Sequence, residues 1–311
     1  MKILFMGTPD FAVFTLKALV ERGEDVIGVV TQTDKPRGRG YELLPTPVKQ
    51  YATEHSIPVY QPKTLRGEEF AAQLAQIDPE LIIVVAYGKI LPVNVLEYPK
   101  YGCINVHGSL LPAYRGAAPM QRAIMDGCTE TGITTMYMAE GLDTGDMLLK
   151  ASLPIEESDN FETIHDKLGA LGAQTMLSTL DALRAGTLVP QKQDDALANY
   201  AEKIQKSDCL IDFSQDAKVL HNRIRGTSPI PLSFTHLPNG SLLKVYAARV
   251  HDQDRIHQAA PGTVVGLDGD ILVACGKGTL ALTQVIPEGK KRMAAADYIR
   301  GRKLSVGDLL S

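Results

Sequence analysis

The sequence contains no tryptophan, and its four cysteines stand at least 25 residues apart. No C-x-x-C pair suggests a zinc site or a redox motif, and scattered cysteines of this kind are usually small core residues. No apolar run approaches the roughly 18 to 20 residues of a transmembrane helix, and the first apolar segment is too short for a signal peptide. We therefore expect a cytoplasmic protein with no metal and no membrane contact.

Two nucleotide-binding motifs are missing as well. The turn after the first predicted strand, Gly7-Thr8-Pro9-Asp10, does not match G-x-G-x-x-G, and Pro9 lacks the N–H that a pyrophosphate would need. The Walker A spacing does not occur in the sequence. These absences argue against a dinucleotide-dependent enzyme and against a P-loop NTPase.

The composition that is present belongs to a globular protein. Its 311 residues suggest about two domains, and 44% hydrophobic with 22% charged residues is close to the globular average. The formal net charge of −4 argues against a general nucleic-acid binder. Residues 1–205 carry a net charge of −8, however, and residues 206–311 a net charge of +4. This asymmetry is typical of two domains with different partners.

The pattern of apolar residues changes along the chain. Short apolar runs alternate with helical stretches up to residue 185, which predicts a Rossmann-like, mostly parallel α/β sheet with helices on both faces. Asp10 is placed to cap the first helix, predicted at 11–22. After residue 206, short alternating runs separated by glycine-containing turns predict a small, OB-like β-barrel. We expect a catalytic domain at 1–189, a linker at 190–206 and a barrel domain at 207–311.

Polar residues end the strand predicted at 102–107. Asn105 and His107 are two positions apart, so both side chains face the same side of the sheet. An amide donor beside an imidazolium can stabilise a developing oxyanion. A histidine bound to a loop carbonyl, with Asn105 capping a turn, explains the spacing equally well.

A second polar cluster, residues 140–146, follows a later strand. Asp143 lies there on a loop bounded by glycines, where its carboxylate could reach the histidine and orient the ring. A turn in which Asp143 bonds its own backbone is the simpler interpretation of an isolated Asp-Thr-Gly.

Two short stretches concentrate positive charge. Lys35, Arg37 and Arg39 alternate with proline and glycine in the loop at 33–41, and Lys290 and Lys291 lie in the basic tail. Cations on a flexible loop suit phosphate contacts, although a solvated surface loop explains a short charge run without any ligand.

The segment 105–116 (NVHGSLLPAYRG), together with 141–146 (GLDTGD), resembles the folate-dependent formyltransferase superfamily. Further stretches resemble the branch that acts on methionyl-tRNA, and they are 5–12 (FMGTPDFA), 38–40 (GRG), 86–92 (AYGKILP) and 116–119 (GAAP). The resemblance covers both predicted domains. It implies transfer of a formyl group from 10-formyltetrahydrofolate to the amine of methionyl-initiator tRNA, for translation initiation, by direct attack through a tetrahedral intermediate.

The same resemblance implies roles for individual residues. Asn105, His107 and Asp143 would be the catalytic trio, and the Arg39 loop and the barrel would contact tRNA. The candidate tRNA contacts are Lys35, Arg37, Arg39, Lys290 and Lys291. The folate-binding site would be lined by Ser109, Leu110, Leu111, Pro112, Ile90 and Leu91. A monomer is expected.

One segment departs from the family. Where relatives carry an aromatic-rich stretch, residues 226–231 read GTSPIP, so the prolines remain and the aromatics are absent. This puts in doubt any contact made by those rings, but not the chemistry. Within the superfamily, the alternatives are a glycinamide ribonucleotide formyltransferase, a UDP-amino-sugar formyltransferase and a formyltetrahydrofolate hydrolase. Outside it, the alternative is an RNA-binding module without catalysis.

Overall fold

The computed structural model describes residues 1–37, 42–301 and 303–311. They form two compact units, each discontinuous in sequence. Unit 1 comprises Met1–Gly116, Thr131–Leu153 and His165–Tyr200, and unit 2 comprises Ala117–Glu130, Pro154–Ile164 and Ala201–Ser311. Two segments that precede residue 165 thus group with the C-terminal residues. The domain limits predicted at 189 and 207 stay predictions.

The strands of the described residues are β1 (Ile3–Gly7), β2 (Val26–Val30), β3 (Lys35–Arg37), β4 (Glu42–Leu44), β5 (Val59–Tyr60), β6 (Leu81–Val85), β7 (Cys103–His107), β8 (Arg115–Gly116), β9 (Glu130–Tyr137), β10 (Met147–Pro154), β11 (Tyr200–Ala201), β12 (Ser233–His236), β13 (Leu242–Asp252), β14 (Val264–Asp268), β15 (Asp270–Ala274), β16 (Thr279–Pro287) and β17 (Met293–Ala294).

The helices of the described residues are α1 (Asp10–Glu21), α2 (Pro47–Glu54), α3 (Glu68–Ile77), α4 (Val93–Leu96), α5 (Pro119–Met125), α6 (Phe161–Ala185), α7 (Lys206–Cys209), α8 (Ala217–Thr227) and α9 (Ala295–Arg300), with a 3-10 turn at Asp195–Leu197. None of these helices is both long enough and apolar enough to span a bilayer.

A seven-stranded sheet forms the centre of unit 1, in the order β10-β9-β7-β6-β1-β2-β5. The five strands from β7 to β5 pair in parallel, and β9 joins β7 antiparallel. Strands β1 and β6 are buried along their whole length, as continuous apolar runs in a covered parallel sheet should be. The predicted α/β class is confirmed.

The strand order places a ligand-binding edge. From β1, the middle of the five parallel strands, the chain first builds outward through β2 and β5, and then returns to add β6 and β7 on the other side. Ligands of such sheets bind beyond the carboxyl ends of the strands near this reversal. The segments that follow β1, β2 and β6 are linked at that edge, because the side chains of Thr8 and Gln32 both donate to the Tyr87 carbonyl, at 3.0 and 2.9 Å.

Unit 2 is built on an antiparallel sheet in the order β12-β13-β16-β15-β14, with β17 added to β16. Leu243, Val245 and Leu282 point into its core, where α8 adds Leu220 and Ile224. Register shifts along β13 bend the sheet, which is consistent with the predicted small barrel.

Helix α5 packs against α8 within unit 2 at very short range. A Cβ added to Gly226 would lie 2.6 Å from Met125 Cγ and 3.0 Å from the Gln121 carbonyl oxygen. Glycine is therefore required at this crossing.

Two local expectations need correction. Pro9, not Asp10, is the N-cap of α1, because Pro9 keeps an extended backbone (ψ 177°) and Asp10 already lies in the helix. Asp10 Oδ1 accepts the Phe11 amide instead. The loop expected at 33–41 is partly an antiparallel hairpin, since Lys35 and Pro36 of β3 pair with β4.

Candidate active site

Strand β7 presents Asn105 at the carboxyl end of the sheet, between β6 and β9. Asn105 lies opposite Val84 on one neighbour and Met136 on the other. Its side chain is half-buried, and its carboxamide makes no hydrogen bond to any residue in the described part of the chain. An amide held on a rigid strand without a protein partner is available to bind a ligand atom.

His107 ends the same strand and is 6% exposed. Its Nε2 donates to the Tyr114 carbonyl oxygen at 3.0 Å, while Nδ1 lies 3.7 Å from Asp143 Oδ2. With Nε2–H bound to a carbonyl, Nδ1 is the ring nitrogen available for proton exchange. The loop carbonyl that the sequence offered as a partner for the histidine is present, as Tyr114 O. The turn capped by Asn105 is not seen among the described residues, since its carboxamide makes no hydrogen bond to them.

Asp143 lies on the loop between β9 and β10. Its backbone adopts a left-handed conformation (φ 53°), and its Oδ2 accepts the Gly116 amide at 2.8 Å. The loop closes tightly at Gly145, where an added Cβ would lie 1.8 Å from the Tyr137 carbonyl oxygen. A glycine at that position thus allows the turn that brings the carboxylate to His107.

The loop that follows β7 carries four of the six predicted folate residues. Ser109 and Leu111 are each 1% exposed, Leu110 and Pro112 are half-buried, and the Leu111–Pro112 peptide is cis. Ser109 Oγ donates to the Ala113 carbonyl at 2.7 Å.

Two residues that the sequence did not indicate fix this loop. Thr134 Oγ1 donates to the Ser109 carbonyl at 2.8 Å and accepts the Leu111 amide at 3.0 Å. Lys150 Nζ donates to the Leu111 carbonyl at 2.5 Å. Thr134 lies on β9 and Lys150 on β10, and the order of strands in the sheet brings both to the loop. Nothing in the sequence around either residue indicates this contact.

The two remaining folate candidates differ from each other. Leu91 is 3% exposed and packs in the core cluster that contains Met6 and Val84, whereas Ile90 is 76% exposed. Leu142, next to Asp143, is also exposed, at 59%. Ile90 and Leu142 are therefore exposed apolar side chains on the loops that follow β6 and β9.

The predicted tRNA contacts are only partly described. Lys35 is exposed and donates to Gln32 Oε1 at 3.2 Å, and Arg37 ends β3. Arg39 lies outside the described residues. Lys290 and Lys291 are exposed in unit 2.

A segment predicted to be a linker contributes unexpected contacts. Gln193 Nε2 donates to the carbonyls of Asp143 and Gly145, at 2.7 and 2.8 Å. Its Oε1 accepts from Arg115 Nε at 2.9 Å. Within the described ranges, no three His, Cys, Asp or Glu side chains gather as a metal site would require. The imidazole and the carboxylate of the site are held by main-chain groups, the Tyr114 carbonyl and the Gly116 amide.

Models of two protein families match the chain. "Formyl transferase" matches residues 1–180, and "Formyl transferase, C-terminal domain" matches residues 203–303. Methionyl-tRNA formyltransferase from Geobacter metallireducens is 50% identical over 99% of this chain and 97% of its own length. The enzyme of the same name from Bacillus licheniformis is 48% identical over 98% of this chain and 96% of its own length.

Solved structures with low sequence identity share the fold. An N-formyltransferase from Helicobacter canadensis, in complex with folinic acid and dTDP-3-aminofucose, has a TM-score of 0.66 at 18% identity, over 91% of this chain and 98% of its own. HypX from Aquifex aeolicus, in complex with tetrahydrofolic acid, has a TM-score of 0.63 at 17% identity, and its alignment covers 96% of this chain and 47% of HypX. The matches to both family models, with relatives near 50% identity over the full chain, show that this protein belongs to the formyl transferase family.

Proposed function

We propose that this chain transfers the formyl group of 10-formyltetrahydrofolate to the amino group of methionyl-initiator tRNA. The observation that carries the proposal is the juxtaposition of the free Asn105 carboxamide with the His107–Asp143 pair at the ligand-binding edge of the sheet. The full-length identity to enzymes named methionyl-tRNA formyltransferase supports the choice of acceptor.

Asn105 stabilises the negative charge that develops on the formyl oxygen. As the amine nitrogen bonds to the formyl carbon, electrons move onto this oxygen and give a tetrahedral oxyanion. A neutral amide donates a hydrogen bond to it at any working pH, and one such donor contributes about 10²–10³ to the rate in other enzymes. Because the carboxamide has no described protein partner, the enzyme loses no internal hydrogen bond when it binds the oxygen.

His107 and Asp143 handle the proton. The amine loses a proton after attack, and the bond between the formyl carbon and N10 breaks as N10 gains one. Nδ1 of His107 faces Asp143 while Nε2 is held by Tyr114, so the pair receives the proton and returns it directly or through water. Cys103 cannot replace this route by covalent catalysis, since burial raises the pKa of its thiol to about 12.

The loop at 109–112 and the open side chain of Ile90 would hold the folate. The loop is rigid, because Thr134 and Lys150 fix its main chain. Rigid walls suit a ligand whose reactive nitrogen must be held within a few tenths of an ångström. Lys35, Arg37, Arg39, Lys290 and Lys291 would supply phosphate contacts to the tRNA. No step of this reaction uses a second chain, so we propose a monomer. Because the acceptor tRNA serves translation initiation, we also propose a cytoplasmic location.

A parallel acceptor assay tests the proposal. Purified protein is mixed with 10-formyltetrahydrofolate and offered methionyl-initiator tRNA, glycinamide ribonucleotide, a UDP-amino sugar or buffer alone, with formylated acceptor and free formate as readouts. We expect transfer to methionyl-tRNA alone. Transfer to a small amine, or formate release that ignores every acceptor, would contradict the proposed acceptor.

The variant Asn105→Asp tests the role of the amide donor. It preserves the shape of the side chain and replaces the N–H donor by a carboxylate. We expect loss of transfer by about 10²-fold or more. Wild-type transfer by this variant would remove Asn105 from the mechanism.

A further inference from the structure

Residues 191–199, named here the strap, run along the catalytic side of unit 1. At one end, the Gln191 amide and carbonyl pair with those of Met147, both at 2.8 Å. At the other end, the Asn199 side chain accepts the Tyr114 amide at 2.5 Å, and its carbonyl accepts the Arg115 amide at 3.0 Å. The strap is therefore anchored at one end to the start of β10, which follows the loop of Asp143, and at the other end to the segment whose main chain contacts His107 and Asp143.

Gln193 is the third residue of the strap, and every polar atom of its side chain is hydrogen-bonded. The Nε2 group donates to two carbonyls of the catalytic loop, those of Asp143 and Gly145. The Oε1 atom accepts from Arg115. An amide with both functions satisfied by fixed partners has one orientation, so it defines the distance between the two segments.

Arg115 is the partner that joins the strap to the histidine. Arg115 is 2% exposed, and its guanidinium also donates to Asp195 Oδ1 at 2.8 Å. Its neighbours in sequence hold the two candidate catalytic groups, because the Tyr114 carbonyl accepts from His107 and the Gly116 amide donates to Asp143.

The strap bonds reach the two residues of this site whose backbones are strained. Asp143 (φ 53°) and Tyr114 (φ 59°) both adopt the left-handed conformation although neither is glycine. Such conformations cost on the order of 1 kcal/mol or more each and persist only where the surroundings enforce them. Gln193 holds the Asp143 carbonyl, and Asn199 holds the Tyr114 amide.

We propose that Gln193 and Arg115 are positioning residues that set the distance between His107 Nδ1 and Asp143 Oδ2. This inference rests on the proposed roles of His107 and Asp143. Gln193 touches neither reacting group and acts through the main chain of the catalytic loop. Because displacement of a reacting group by about 1 Å can cost 10²-fold in rate, loss of this amide should reduce turnover without weakening substrate binding.

The test compares Gln193→Met with Gln191→Met. Gln191 is the same residue type in the same strap, but it is exposed and its hydrogen bonds are made by the main chain. We expect Gln193→Met to lower kcat by about 10- to 100-fold with KM for both substrates within about twofold, and Gln191→Met to match the wild type. Gln193→Glu, which keeps the acceptor for Arg115 but has no N–H donor, should lose as much as Gln193→Met.

A double variant separates positioning from a general loss of structure. In an Asp143→Ala background, Gln193→Met should lower kcat by less than about twofold more, because the group that it positions is already gone. Wild-type kcat in Gln193→Met, or a fall that multiplies with that of Asp143→Ala, would overturn the inference. Full activity of Asp143→Ala alone would instead overturn the proposed role of Asp143, so the two failures are distinguishable.

Discussion

His107 Nδ1 lies 3.7 Å from Asp143 Oδ2, slightly beyond hydrogen-bonding distance, while the carboxylate accepts the Gly116 amide at 2.8 Å. The carboxylate is thus fixed by the main chain and faces the ring without yet binding it. Catalytic hydrogen bonds are often long in enzymes without substrate and shorten in the reacting complex. A small approach of the loop would be sufficient to complete the pair.

Replacing Asp143 by asparagine tests this relationship. The variant keeps the shape of the side chain and an oxygen for the Gly116 amide, but loses the charge and the ability to take up a proton. We expect the rate constant for transfer to methionyl-tRNA, measured in single-turnover assays, to fall by about 10²- to 10⁴-fold. Glu140→Gln is the control, because Glu140 is exposed on the same segment. Activity of Asp143→Asn within tenfold of wild type would contradict a role in proton transfer.

Glu24 should make the stability of unit 1 depend on pH. Its side chain is 5% exposed and pairs with Arg184 and Arg22, and the hydrogen bond from Arg184 chiefly lowers the pKa of this carboxyl from 4.5. A lowered folded-state pKa gives stability that is present above the unfolded pKa and lost as pH falls through the folded one.

We therefore expect Glu24→Gln to reduce the free energy of unfolding by about 1–2 kcal/mol at pH 7. In urea titrations, the difference from wild type should narrow as the pH falls below about 4.5. Glu21→Gln is the control, because Glu21 is exposed and its Oε1 lies 3.7 Å from Lys17 Nζ, in an ion pair that solvent screens. A difference that stays constant from pH 7 to pH 3 would show that Glu24 does not titrate in this range.

Arg225 should stabilise unit 2 from inside. It is 8% exposed, donates to the carbonyls of Glu156 and Asp159, and binds Asn222 Oδ1 at 3.0 Å. Arg225→Met keeps most of the volume but leaves these acceptors unpaired. We expect a loss of about 1–3 kcal/mol in thermal or urea unfolding.

The control for that loss is Arg223→Met, two positions earlier on α8. The Arg223 guanidinium is half-buried and donates to Gln215 Oε1 at 3.3 Å. Its replacement should change stability by no more than about 0.5 kcal/mol. Equal effects of the two substitutions would show that the buried bonds of Arg225 contribute nothing.

The exposed lysines of unit 2 should bind tRNA by neutralising the charge of its phosphates. Lys290 and Lys291 are exposed, whereas Arg292 lies over the Tyr246 ring at 4.2 Å. Replacing both lysines by alanine should raise KM for methionyl-tRNA, while KM for 10-formyltetrahydrofolate stays unchanged. The slope of log KM for methionyl-tRNA against log salt concentration should fall by about 1.5. Lys17→Ala with Lys63→Ala removes the same charge from unit 1 and should leave the slope as it was. An unchanged slope in the Lys290 and Lys291 variant would exclude them as tRNA contacts.

Local features of the site follow directly from the sequence. Strand periodicity places Asn105 and His107 on one face, and a polar strand end marks the ligand side of a parallel sheet. The structure brings Asp143 to His107, as a carboxylate on a glycine-bounded loop suggested. The roles that the resemblance implies for these residues remain predictions.

The supporting contacts could not be predicted in the same way. Gln193 lies 50 positions from Asp143 and 78 from Arg115, in a segment without periodicity. Thr134 and Lys150 are ordinary strand residues until the sheet order is known. Helix α5 also looked like part of the α/β domain, since nothing in its own sequence reports that it packs on α8.

The chain enters unit 2 three times, at 117, 154 and 201. No single cut can therefore separate the two units as intact modules. A fragment ending at residue 200 would keep α5 but lose α8, and with it the close contact at Gly226. Recombination between relatives faces the same obstacle, because a C-terminal half exchanged at one crossover would meet a foreign α5. The two halves of such a gene are thus expected to be inherited together.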